Sequence, residues 1–260
     1  MSRTFSANFL LARLDSTSRG WYTTAMSGHS KWATIHRQKG VKDAARGQLF
    51  SKLAKLITIA AKNGVDPESN FKLREIIEKA RDANMPKENI DRAINKVAEA
   101  GALEEVVYEG FGLGGVGLLI SAMTDNRNRT GQEIKNILER NGGRLAGPGA
   151  VSFQFEKKGF ILVEPTNDVD SQMLQLIDLG IEELDQIPTG VECFVEAAAL
   201  YKEKQAIQNA GFVVLESEII SKPTGQVLEI DQSQKEKLQS LVDSLENHDD
   251  VDRVFTTVNL

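Results

Sequence analysis

Arg127 and Arg129 stand two residues apart in the segment Thr124–Thr130, TDNRNRT, among Asp125, Asn126 and Asn128. A guanidinium fork suits a phosphate or a carboxylate equally, so these side chains either grip a ligand or brace their own turn. A larger set of cations stands earlier. Lys31, Arg37, Lys39, Lys42, Arg46, Lys52 and Lys55 follow one another with Asp43 as the only acid among them, and Trp32 adjoins Lys31. Cations of one sign beside an aromatic ring are the means of holding a phosphate backbone and stacking on a base. Lysines on an ordinary surface helix alternate with acids, and these do not.

Other chemistries find little support. The run Gly110–Gly117, GFGLGGVG, lacks the strand-then-helix setting and the GK[ST] ending of a nucleotide loop, and reads as a glycine-containing hairpin. His29, His36 and His248 have neither the spacing nor the company of a metal site. Cys193 is the only cysteine; it excludes an internal disulfide and sits in VECFV, where alternation buries it in a strand. No nucleophile, base and orienting group fall into a recognisable set. The expectation is a binding protein with no catalytic residue, no metal and no cofactor.

These residues need elements to position them. Leu49, Phe50, Leu53, Leu56, Ile57 and Ala60 recur at helical spacing and end at Asn63-Gly64. Asp66-Pro67 starts a second helix carrying Leu73, Ile76, Ile77 and Ala80, and Pro86 a third carrying Ile90, Ala93, Ile94 and Val97. From Val106 the period shortens. Strands are expected at 106–109 and 116–123, then a helix over 132–141 with Thr130 and Glu133 as a capping box. A hairpin over 151–156 and 160–164 turns at Lys158-Gly159. A second mixed stretch follows: helix 169–179, strands 181–185 and 191–195, helix 197–210 and strand 212–219. Lys222–Gly225 reads as a linker before strand 226–230, helix 233–247 and strand 251–257. The sheet of 104–167 lacks elements to close it, and the final strand–helix–strand has no partner. The two pieces are therefore expected to form one domain, 104–167 plus 223–260, with 168–222 inserted. The fold class is α+β: an N-terminal three-helix domain over 26–103, followed by two α+β domains of ferredoxin-like type, the third inserted in the second.

Charge follows the same division. Residues 26–64 hold eight Lys or Arg against one acid, a net of +7 in a chain of 260 residues whose formal charge is −6. The first 103 residues carry +8 and the rest −14. A basic front on an acidic body points to nucleic acid at the front. Residues 1–25 contain Arg3, Arg13 and Arg19 among Ser and Thr, with Asp15 the only acid, which is the composition of a mitochondrial targeting segment. No apolar run reaches the ~18 residues of a membrane span.

Several blocks then fall in a familiar order: GHSKWA (Gly28–Ala33), RGQLFSKL (Arg46–Leu53), NMPKENIDRAI (Asn84–Ile94), YEGFG (Tyr108–Gly112), TDNRNRT, NGGRL (Asn141–Leu145) and GAVSFQFEKKG (Gly149–Gly159). From about Met26 to its end the chain resembles the YebC family, whose mitochondrial members include translational activators of cytochrome c oxidase subunit I. The resemblance implies three domains around a cleft. Bacterial members are described both as DNA-binding transcription regulators and as ribosome-associated translation factors, mitochondrial ones as serving translation and the relief of stalling. Two positions depart from the family pattern: Gln38 replaces a basic residue, with His36 shifted by one, and Leu113 replaces the proline of FGPGG. The reading is a mitochondrial matrix translation factor, expected as a monomer, that binds the mitochondrial ribosome through ribosomal, transfer or messenger RNA. Lys31, Arg37, Lys39, Lys42, Arg46, Lys52 and Lys55 would meet phosphates, Trp32 would stack, and Arg127 and Arg129 would add a second contact. The alternative is a DNA-binding transcriptional regulator.

Overall fold

The structure, a computed structural model, describes residues 43–98, 103–225, 230–258 and 260, with side chains from Arg46 onward. The first described helix, α1 (Asp43–Ala61), packs with α2 (Phe71–Asp82) and α3 (Lys87–Asn95). Leu53, Ile57, Ala60, Leu73, Ile76, Ile77 and Ile90 form the shared core, each on the inward stripe that helical spacing dictates. Asn70, not Asp66-Pro67, caps α2: its side-chain oxygen accepts from Leu73 N at 3.1 Å. Its amide donates to the carbonyls of Ala60 and Gly64 at 2.8 and 2.7 Å, so one side chain closes the end of α1 and opens α2.

The first sheet runs β3 (Arg144–Ala146), β1 (Glu104–Phe111), β2 (Gly117–Thr124), β8 (Val251–Thr256). All its pairings are antiparallel. GFGLGG makes the β1–β2 turn, and Gly114 and Gly115 there take φ of +71° and +79°, values that favour glycine. Against one face lie α4 (Arg127–Arg140) and α7 (Gln232–Glu246), which bury Ile134, Leu138, Leu238, Leu241 and Leu245 on Leu118, Ile120 and Val254. Helix α4 begins five residues before the expected start. Asn126 is its cap, accepting from Asn128 N and Arg129 N at 3.1 Å, and Thr130 lies inside the helix. The expected box of Thr130 and Glu133 is not used, because an earlier Asx side chain satisfies the free amides first.

The second sheet is ordered β5 (Glu183–Ile187), β6 (Gly190–Glu196), β4 (Phe155–Val163), β7 (Val214–Pro223). With α5 (Val169–Asp178) after β4 and α6 (Leu200–Asn209) after β6, this is the split βαβ arrangement of ferredoxin-like folds. The first sheet places its hairpin β1–β2 at the centre and has another order. Residues 155–163 are not the expected hairpin but one strand, paired with both β6 and β7. Gly159 is there for packing: a Cβ on it would stand 2.8 Å from Val195 Cγ2 and 3.0 Å from Leu200 Cβ. The inserted unit accordingly begins by Phe155, ahead of the expected 168, and Lys222-Pro223 completes β7 instead of starting a linker. Helices α5 and α6 cover one face of this sheet over Ile161, Leu176, Cys193 and Ile207. The other face carries Phe160, Leu162, Phe194 and Ile220, with Phe255 of β8 packed on them.

Candidate nucleic-acid interface

Of the expected nucleic-acid-binding residues, Lys31, Trp32, Arg37, Lys39 and Lys42 lie outside the described residues, as does the 1–25 segment. Arg46 is exposed on α1. One turn and a half further along, the same helix turns its cations inward. Lys52 is 8% exposed and donates to the Glu246 carbonyl at 2.5 Å. That carbonyl belongs to the last turn of α7, where unpaired carbonyls concentrate negative potential. Burial pushes the Lys52 ammonium down, against the pull of Asp252, Glu246 and Asp249. Lys55, one turn on, donates to the Asp249 carbonyl at 2.9 Å and to Asp250 Oδ1 at 2.7 Å. Lys62 reaches the Leu103 carbonyl at 2.7 Å. These lysines seat the helical domain on the first sheet's domain.

The two arginines of TDNRNRT are also engaged by carboxylates of the chain. Arg127 binds Glu104 with both arms of its fork, Nε at 2.5 Å and Nη2 at 2.6 Å. Arg129 donates to Asp250 Oδ2 at 2.8 Å and pairs with Asp125 Oδ1 at 2.9 Å. Asp250 thus collects Lys55, Arg129 and the Thr130 hydroxyl, the last at 2.7 Å. Burial alone would raise its carboxyl, but these donors outweigh burial and hold it well below the usual carboxylate range. Of the open alternatives for the arginines, bracing is the one the geometry displays, although both side chains keep substantial exposure.

Glu133, His248 and Asp250 bring ligand atoms within 4.8 Å of one another, a spread a metal ion could use. His248 and Asp250 are already engaged within the chain. His248 Nδ1 accepts from Asp250 N at 3.1 Å, so Nε2 carries the ring proton and faces Glu133 Oε2 at 2.9 Å. Asp250 already faces two cations. The trio locks the α7–β8 turn onto α4.

Sequence reasoning missed a second ionic centre. Glu218 on β7 takes Lys79 of α2 at 2.7 Å and the fork of Arg253 on β8, whose Nη2 lies at 2.8 Å and whose Nη1 meets the other carboxylate oxygen. Burial pushes the Arg253 guanidinium down, yet Glu218 and Asp252 raise it above its ordinary value. Three domains meet at this carboxylate. Single charges spread over 175 residues of sequence give no signal of such a meeting.

Two family models cover nearly all of this architecture. One, described as the TACO1/YebC protein N-terminal domain, matches residues 30–100, and one described as the TACO1/YebC second and third domain matches 103–258. The chain belongs to the TACO1/YebC family. Among TACO1/YebC relatives it is 42% identical over 241 residues to a probable transcriptional regulatory protein of Thermoanaerobacter pseudethanolicus, covering 90% of this chain and 98% of the relative. It is 42% identical over 238 residues to the probable transcriptional regulatory protein YrbC of Bacillus subtilis, covering 89% and 98%. The crystal structure of a conserved hypothetical protein from Aquifex aeolicus superposes with a TM-score of 0.79 at 38% identity, over 88% of this chain and 96% of that one. The Thermoanaerobacter and Bacillus relatives are named as probable transcriptional regulatory proteins. Among the described residues no helix is long and apolar enough to cross a membrane.

Proposed function

We propose that this TACO1/YebC protein is a translation factor of the mitochondrial matrix, a translational activator that binds the mitochondrial ribosome through RNA. The observation that carries the reading is the separation of charge, +7 over residues 26–64 against −14 beyond residue 103. Part of that basic stretch is engaged within the chain itself. Lys52, Lys55 and Lys62 hold the helical domain to its neighbour. This leaves Lys31, Arg37, Lys39, Lys42 and the exposed Arg46 as the cations for phosphate, with Trp32 for stacking. The composition of residues 1–25 supports the organelle. The work done is binding and repositioning of RNA.

Five phosphates neutralised on single-stranded RNA give a slope of log affinity against log salt of about −3.5. Replacing Lys31, Lys39 and Lys42 with Glu is expected to abolish nuclease-sensitive co-sedimentation with mitochondrial ribosomes while circular dichroism stays unchanged. A slope near zero, or co-sedimentation that survives the triple reversal, refutes the reading. The names of the bacterial relatives favour a second reading, a DNA-binding transcriptional regulator. Equal competition by duplex DNA and by RNA of the same length in the salt titration would support it.

A further inference from the structure

Between the helical domain and the ferredoxin-like domain runs a groove of about 390 Å³. Its volume falls in the range of ~300–1,000 Å³ in which small planar ligands are held. Two helix starts face each other across it. Phe71 is the first residue of α2, and Tyr201 stands in the first turn of α6. They are 40% and 45% exposed, with ring centroids 5.0 Å apart and planes inclined at 73°. Each ring is followed three residues later by a cation on the same helix face, Arg74 and Lys204. The Arg74 guanidinium lies 5.6 Å from the Phe71 centroid. The Tyr201 hydroxyl accepts from Gln205 Nε2 at 2.6 Å, which fixes the phenol and leaves its own proton to donate.

Glu75 lines the same groove. Burial pushes its carboxyl up, and the cations Lys79 and Lys204 offset part of that. A ring pair alone would serve as domain glue. Rings kept open to solvent, flanked by cations and backed by a half-buried carboxylate, serve a planar ligand that has a phosphate on one side and N–H groups on the other. Base-on-aromatic stacking and edge hydrogen bonds are how unpaired RNA bases are held. Among the four bases guanine alone presents two neighbouring N–H donors on its Watson–Crick edge, and a carboxylate accepts such a pair with both oxygens.

We propose that this groove binds one unpaired guanine of a single-stranded RNA, stacked on Tyr201 with the inclined Phe71 ring bracing it, read by Glu75, with Arg74 and Lys204 at its phosphate. The proposal adds a contact to the RNA-binding reading and rests on it for the identity of the polymer. The test uses the full chain and two fluorescein-labelled heptanucleotides, r(UUUGUUU) and r(UUUUUUU), in anisotropy titrations at one salt concentration. Stacking and edge recognition together are expected to favour the guanine oligomer by about tenfold. Tyr201→Ala is expected to remove that preference, Tyr201→Phe to keep it, and Glu75→Gln to lose the preference while retaining affinity for r(UUUUUUU). Equal affinity of the parent protein for both oligomers overturns the proposal. So does a Tyr201→Ala variant, shown folded by circular dichroism, that retains the preference. The Lys31, Lys39 and Lys42 reversal separates the two readings: it is expected to abolish ribosome co-sedimentation and leave the guanine preference in place. Parent protein that prefers guanine yet fails to sediment with ribosomes refutes the ribosome reading alone.

Discussion

Glu192→Gln is expected to stabilise the protein at pH 8 and to leave its stability unchanged near pH 4.5. Glu192 stands in the middle of β6, 2% exposed, directly opposite Asp185 of β5, with Leu162 of β4 between it and Glu216 of β7. Among the described residues its Oε2 has no hydrogen-bond partner. Burial first, then the neighbouring charges of Asp185 and Glu216, push the carboxyl from 4.5 up to about 7. The folded protein therefore holds a proton between these values that the unfolded chain has released. Stability falls as pH rises through that window and is flat on either side of it. At 1.36 kcal/mol per unit, the window of about 2.5 units amounts to about 3 kcal/mol. Glutamine has the shape of the protonated acid and does not titrate, so the variant lacks this loss. Urea unfolding at pH 5, 6, 7 and 8, with hydrogen exchange of the β6 amides to localise the effect, measures the difference between the two proteins. A difference that does not grow with pH refutes the reasoning.

Asp250→Asn is expected to destabilise by about 3 kcal/mol at pH 7, since it leaves Lys55 and Arg129 facing a neutral group. Because the folded carboxyl lies below its ordinary range, that cost shrinks as pH falls below about 4, which unfolding curves at pH 7 and pH 3 check. Glu218→Gln is expected to loosen the three-domain junction, read as faster limited proteolysis between domains at an unchanged helix content. Gly159→Ala is expected to cost about 1–3 kcal/mol by overpacking against Val195 and Leu200, whereas Gly147→Ala, with open space around it, is expected to be neutral in thermal melts.

What the sequence discloses depends on how local the cause is. The stripes Leu53–Ile57–Ala60 and Leu238–Leu241–Leu245 lie on their helices' inward faces because burial follows a repeat that is written residue by residue. Helix α4 escaped at its start because two Asx/Thr cap candidates, Asn126 and Thr130, compete, and only the backbone path decides between them. Lys158-Gly159 looks like a turn because glycine does, and the side chains that require it to be small, those of Val195 and Leu200, come some forty residues later. The candidate interface shows the same limit. A lysine that grips a phosphate and one that grips a helix-end carbonyl are the same residue. The partner that separates Arg46 from Lys52 and Lys55 lies near residue 250.

That long reach bears on how the chain is made. The Lys52 contact with Glu246 spans 194 residues, so the first described helix finds its seat only when nearly the last strand has left the ribosome that synthesises it. Until then the helical domain can close its own core and reach Leu103 and Glu218 through Lys62 and Lys79, while Lys52 and Lys55 stay hydrated. Trimming the C-terminus before Glu246 would remove the seats of Lys52 and Lys55 while leaving the Lys62–Leu103 and Lys79–Glu218 ties in place.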